Sequence, residues 1–314
     1  MKRTYFSVLA STFLFSSMEI SLKIAGAAFN AIQLNLLRFF IGGLVLVPLA
    51  LHDLHKQHRQ LHFKDWGLFA LTGFVCVIVS MTLFQLAVQN APAATVAVLF
   101  SCNPVFALIF AFLLLHERMG RANFLAVIVS LLGLFIIVNP FRMHLSGGVI
   151  LALLSAVTFG LYSIVSRYGS TKRELSGIVM TCFTFLAGTV ELFILMVLTH
   201  WAPVATGMAH VAALHEFIRM PLIQGISWHT LPLLAYIGIG VTGGGFALYF
   251  LAMEWSDVST ASLVFFIKPA LAPILAMIIL HEVITGETIT GIVVILLGSL
   301  ITFIGNRNKE RNLG

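Results

Sequence analysis

Asn103-Pro104-Val105-Phe106-Ala107-Leu108-Ile109-Phe110-Ala111-Phe112-Leu113-Leu114-Leu115-His116-Glu117 returns 165 positions later as Lys268-Pro269-Ala270-Leu271-Ala272-Pro273-Ile274-Leu275-Ala276-Met277-Ile278-Ile279-Leu280-His281-Glu282. The same offset pairs Leu86-Ala87 with Leu251-Ala252, Thr95 with Thr260, Gly73 with Gly238 and Leu131-Leu132-Gly133 with Leu296-Leu297-Gly298. Without a gap, 20 of the 73 positions from Trp66 to Val138 are identical to their counterparts. Apolar composition alone gives roughly a tenth, so the chain holds a duplication.

The material that was duplicated is membrane-like. Of 314 residues, 59% are apolar and 10% charged, against about 25% charged in a soluble domain. That deficit, with a mean hydropathy of +1.02, excludes a water-soluble enzyme, a disordered chain and a nucleic-acid reader. Long apolar stretches predict ten spans: Tyr5–Ala25, Ile32–Leu51, Trp66–Val88, Ala93–Leu115 and Ala122–Val138, then Gly148–Tyr168, Ser176–Thr199, Leu231–Ala252, Thr260–Leu280 and Ile289–Ile304. All but Ile289–Ile304, at 16 residues the shortest, reach the roughly 17–25 residues that cross a bilayer, and all must be helical, because lipid leaves no other partner for the backbone. Lys2 and Arg3 ahead of the first span, and Ala25-Gly26-Ala27 behind it, imitate a cleavable leader, but Glu19 and Lys23 interrupt the stretch where a leader is apolar.

Five spans per copy is an odd number, so the two copies enter the membrane in opposite directions. The expected fold is all-α, with ten transmembrane helices in two inverted five-helix repeats: residues 1–140, residues 146–306 and a cytoplasmic tail at 307–314. Inverted repeats are a transporter signature, with the solute site near midplane between the halves. With the N-terminus inside, twelve Lys and Arg fall in the inner segments, whereas Arg142 and Arg219 alone fall outside. That bias puts both termini in the cytoplasm. All four tryptophans, Trp66, Trp201, Trp228 and Trp255, fall at span ends, as amphipathic rings do at headgroups. Cys76, Cys102 and Cys182 lie in apolar runs and suggest neither disulfides nor a metal site.

Three local patterns, together with the repeat, resemble the EamA-like proteins of the drug/metabolite transporter superfamily over nearly the whole chain. They are Leu14 to Lys23, with Phe15 where the family commonly has Trp; Leu37-Arg38-Phe39; and the twice-occurring proline-to-glutamate helix. Departures are Glu19 inside the first span and the long connection Trp201 to Thr230. The resemblance implies a plasma-membrane carrier that moves small metabolites, often outward, by alternating access; it leaves the solute open.

Polar residues inside the spans are the site candidates, since intramembrane charges are costly and face a cavity or a partner. Glu19 and Lys23, four apart, can meet on one helix face, either as a self-neutralised pair or as a proton-exchanging carboxylate tuned by a lysine. Arg38 offers a planar fork to a carboxylate or phosphate, or fastens the bundle. Lys268 beside Pro269 and Asn103 beside Pro104 mark matching places where a proline frees a backbone carbonyl, so two helix bends are expected to line one cavity. Lys268 is the first choice for mutation. Glu117 and Glu282 end their helices near opposite faces, either tying helix ends to loops or forming gating contacts. Glu191 has no evident partner.

Three basic groups against Glu19 suggest a carboxylate-bearing solute such as an amino acid, with the proton a candidate coupling ion and the protein a monomer or homodimer. No cofactor or metal is expected. His116-Glu117 and His281-Glu282 lack the HExxH continuation, and His52, His55, His58 and His62 read as a solvated loop rather than a zinc face. Gly238-x-Gly240-x-x-Gly243 lacks the strand that a dinucleotide fingerprint requires; its small residues serve close helix packing. No GxSxG or Walker A sequence occurs. The rivals are a membrane-embedded enzyme acting on lipid or peptide, which needs a clustered nucleophile and base, and a non-transporting receptor or scaffold, which predicts unlike halves. A short surface helix is expected near Val211 to Met220.

Overall fold

The computed structural model describes residues 2–117, 120–138, 146–211, 217–255 and 258–313. Five helices form the first copy: α1 (Arg3–Ala25), α2 (Ala31–Lys56), α3 (Phe63–Asn90), α4 (Ala93–Leu115) and α5 (Arg121–Val138). The second holds α6 (Gly147–Arg173), α7 (Gly177–Leu198) and α8 (Leu231–Trp255), then α9 (Val258–Leu280) and α10 (Gly286–Leu313). Among the described residues, nine helices are long and apolar enough to span a bilayer, and the tenth contributes the shorter apolar stretch Gly286–Ile301. The Arg142 and Arg118 of the charge count lie outside the described residues, as do the boundary at 140 and the last residue of the tail.

Duplication at the level of sequence becomes pseudo-twofold packing. The contacts of α1 with α8 and α9 are matched by those of α6 with α3 and α4; α2 against α8 is matched by α7 against α3; α5 pairs with α10. Each half therefore lends its first helix to the other half's third and fourth. Local geometry repeats as well. His116 and His281 both leave their helices in the left-handed region at φ 54, and Glu117 N and Glu282 N close back onto Ala111 O and Ala276 O. At the opposite ends, His62 N donates to Asp65 Oδ2 at 2.8 Å and Ser227 N to Thr230 Oγ1 at 2.9 Å, an N-terminal cap used twice.

The glycines of the rejected nucleotide motif pack helices. A Cβ on Gly243 would lie 2.6 Å from Val45 Cβ, and one on Gly238 2.8 Å from Ile41 Cβ, so α8 sits on α2 at a separation that only glycine permits. Gly73, the counterpart of Gly238, lies against Gly188 of α7 in the same way. Outward-facing positions such as Phe112, Leu113, Leu132, Phe193 and Ile278 are exposed and apolar, a coat that is stable against lipid rather than water. The four tryptophans are exposed at the span ends.

One expectation changes. The twin prolines do not bend their helices alike: α4 is interrupted at Ser101-Cys102, just before Asn103, whereas α9 runs as one helix through Pro269 and Pro273. Instead, the paired irregularity is a wide π-helical segment, Phe74–Ser80 in α3 and Tyr236–Gly244 in α8, which overlap at the 165-residue offset. In the long connection Ala202–Ala209 is a helix; the short helix expected near Val211 to Met220 falls largely on residues 212–216, which lie outside the described residues.

Candidate functional site

Between the two sets of helices lies a cavity of about 460 Å³, within the range of roughly 300–1,000 Å³ usual for small-molecule sites. Its walls come from α1, α2, α4, α6 and α9, and also from α3, α7 and α8. The π segments of α3 and α8 supply Cys76 and Val241, residues 165 apart, to opposite walls. Wide turns of this kind often sit at functional sites because they release backbone carbonyls.

One released carbonyl organises the most deeply buried cation. Asn35 Nδ2 donates to Val77 O of the π segment at 2.9 Å, which turns Asn35 Oδ1 toward the next helical turn. There it accepts from Arg38 Nε at 3.2 Å and Nη2 at 3.0 Å. Arg38 Nη1 finds only the thioether of Met18, at 3.9 Å, and the guanidinium lies 4.3 Å over the Phe39 ring. Arg38 is 2% exposed and lines the cavity; among the described residues no carboxylate lies within ion-pair distance.

Glu19 does not join Lys23. It pairs with Lys268 across the two halves, Nζ to Oε1 at 2.8 Å, both side chains buried. Neither Glu19 oxygen makes a well-angled hydrogen bond among the described residues, so the pair rests on charge alone. Lys268 also lies 5.3 Å over the Phe100 ring and faces the cavity, with Glu19 behind it. The local helix geometry permitted a Glu19–Lys23 contact, but the desolvated lysine of α9 competes for the carboxylate where no water can screen it. Lys23 instead donates to Ala91 O at the end of the bundle. Asn103 lines the cavity, yet its amide turns back to Phe100 O at 2.8 Å, the carbonyl that Pro104 leaves without its usual N–H.

The cavity is closed at one end and open at the other. At the closed end, Glu282 reaches from α9 to the first turn of α4, accepting from Ala93 N (2.8 Å) and Ala94 N (2.9 Å). A carboxylate is well placed there, since a helix N-terminus carries unpaired donors and partial positive charge. The long connection folds over the same end, where Gln33 Nε2 donates to Leu222 O and Gln224 O. At the open end, Arg167, Ser170 and Met253 border the mouth. Glu117, the counterpart of Glu282, is here half-exposed and paired with Arg167.

Sequence reasoning missed Asn35, whose spacing of three from Arg38 on a helix was the available signal. It missed Gln85, whose side-chain amide is fully buried and lacks a partner among the described residues, and the aromatic walls. Glu191 is half-buried on α7, its Oε2 without a partner among the described residues. His58 ends α2 in the left-handed region; among the described residues no His, Cys, Asp or Glu group has the arrangement of a metal site.

Duplicated apolar helices around a cavity that is shut at one end and held by buried charges define a membrane transporter. The chain belongs to the EamA-like transporter family, whose model matches residues 2–139 and 146–304. It is 34% identical over 320 residues to an uncharacterized transporter of Clostridium kluyveri, covering 99% of this chain and 96% of that one. It is 22% identical to the S-adenosylmethionine uptake transporter of Rickettsia prowazekii, over 93% and 89% of the two chains. It is 25% identical to the probable terminal-alkyne amino-acid exporter of Streptantibioticus cattleyicolor, over 82% of each.

Proposed function

We propose that the chain is a secondary carrier of a carboxylate-bearing metabolite, which it exports across the plasma membrane by alternating access, with both termini in the cytoplasm. The observation that carries the reading is Arg38. A buried guanidinium that meets a neutral amide, a thioether and an aromatic face, with no carboxylate within ion-pair distance among the described residues, is costly in a low-dielectric interior, and an anionic solute compensates it. The relative named as an amino-acid exporter handles a carboxylate by the chemistry of its name. With the positive-inside orientation, the open mouth at Arg167 and Met253 faces the cytoplasm, where an exporter loads.

The rocking bodies we infer are α1 with α8 and α9 against α6 with α3 and α4, the groupings that the packing supports. Glu282 then latches the outer end by holding α4. In the alternate state Glu117 leaves Arg167 and holds the first turn of α9, residues 258–259, which stand 165 positions after Ala93 and Ala94. Coupling to protons enters through Glu19, the buried carboxylate that meets Lys268 across the two halves. The test is a stability screen of the purified protein against amino acids, organic acids, amines and nucleotides, then flux in proteoliposomes. Ligand stabilisation grows with concentration over Kd, so even millimolar binders register. Stabilisation and counterflow by carboxylates support the reading; stabilisation by amines or nucleotides alone refutes it.

A further inference from the structure

Within that reading, the cavity's walls carry more information than its charges. Two aromatic rows line the cavity. One runs Phe39–Phe185–Phe246–Phe15–Phe265, with successive ring centroids 4.7, 5.2, 5.0 and 6.1 Å apart. The other runs Phe100–Phe159–Tyr162, each step 5.1 Å. Every ring in both rows lines the cavity. Each row is headed by a cation: Arg38 over Phe39, Lys268 over Phe100. Edge-to-face steps dominate and fix the rings against one another, so the walls are aromatic and rigid rather than adaptable.

The charges at the two heads are unequal. Lys268 is already neutralised by Glu19, and Arg167 at the mouth by Glu117. Among the described lining residues there is no carboxylate, and Arg38 has none within ion-pair distance, feeling Glu19 only through its longer-range field. One net positive charge beside two aromatic walls matches one negative charge on a flat apolar body. A hydrophilic dianion would strand its second charge among phenyl rings, at a cost in desolvation, and an amine finds no acid facing it.

We propose, resting on the carrier reading above, that the solute is a monocarboxylate with an aromatic or similarly flat apolar body. Arg38, rather than Lys268, anchors the carboxylate, and an amino group on the solute is dispensable. Arg38 is thereby a specificity-determining residue: Asn35 Oδ1 holds its Nε and one Nη2 hydrogen, which leaves the Nη1–Nη2 edge for a carboxylate, whereas Arg167 and Lys268 are each held by a glutamate.

The experiment measures Kd for the purified full-length protein in lipid nanodiscs, with four probes that separate ring from charge: 3-phenylpropanoate, phenylalanine, phenethylamine and succinate. The expected order has 3-phenylpropanoate and phenylalanine within about tenfold of each other, with phenethylamine and succinate weaker by about tenfold or more. Arg38→Lys, which keeps the charge but loses the fork, weakens 3-phenylpropanoate by about tenfold while Lys268→Met with Glu19→Gln weakens it less. Binding of phenylalanine without 3-phenylpropanoate overturns the dispensable amine. Succinate binding as well as 3-phenylpropanoate overturns the aromatic body but leaves the carboxylate carrier standing. Phenethylamine binding while every carboxylate fails overturns both. Unchanged affinity in Arg38→Lys moves the anchor elsewhere and defeats its assignment, whether or not other Arg38 variants fold.

Discussion

Replacing Glu282 by alanine removes the two carboxylate bonds that fasten α9 to the start of α4. At 2.8 and 2.9 Å from Ala93 N and Ala94 N, both are charge-assisted. Such bonds contribute about 1.5–3 kcal/mol each. Water reaches the donors once the end opens and recovers part of this, so the closed form loses about 2–3 kcal/mol net, or roughly thirty- to 150-fold in the open-to-closed ratio. The readout is the rate at which a membrane-impermeant maleimide labels a cysteine at Ala91, which is 4% exposed, in a background freed of Cys76, Cys102 and Cys182. When labelling waits on opening, the rate follows the open population and rises by about the same factor. Glu117→Ala is expected to move it the other way, because it weakens the state in which this end is open. An unaltered rate in Glu282→Ala, or the same sign in both variants, refutes the latch and its exchange.

Lys268→Ala strands Glu19 as a buried charge and is expected to cost about 3–5 kcal/mol of stability, seen as a lower melting temperature; adding Glu19→Gln restores most of it without restoring flux. Gly243→Val forces α8 off α2, where a Cβ already meets Val45 at 2.6 Å, and is expected to cost about 1–3 kcal/mol; a variant as stable as the parent contradicts the packing. Glu19→Gln is expected to remove the dependence of flux on an imposed pH gradient while sparing equilibrium exchange. Retention of full gradient dependence in that variant excludes Glu19 as the proton carrier.

The fold was legible because lipid restricts the chain to helices and the repeat is written in plain identities at one offset. Charges were legible as a set, since Glu19, Arg38 and Lys268 stand out against apolar spans. Their pairing was not. Helical spacing identifies what Glu19 can reach on its own helix, Lys23, whereas the partner it takes is set by how α9 crosses α1. The prolines misled for a related reason: Pro104 and Pro269 remove the same N–H, but α4 opens at Ser101-Cys102 while α9 absorbs the loss within a continuous helix. The π segments have no sequence signal beyond the small residues of 238–245, and none at all around Cys76. The aromatic rows were invisible because phenylalanines occur throughout the apolar stretches, on lipid-facing and cavity-facing sides alike.

Spin labels placed in pairs across the two ends give the sharpest view of whether the halves exchange access around one pocket. Exposed positions serve both: Asn90 with Val283 at the closed end, and Lys172 with Trp255 at the mouth. Pulsed dipolar distances are expected to fall into two populations, the first pair short where the second is long and the reverse, with solute or pH shifting the balance. Distances that stay single at both ends, or that widen and narrow together, contradict alternating access.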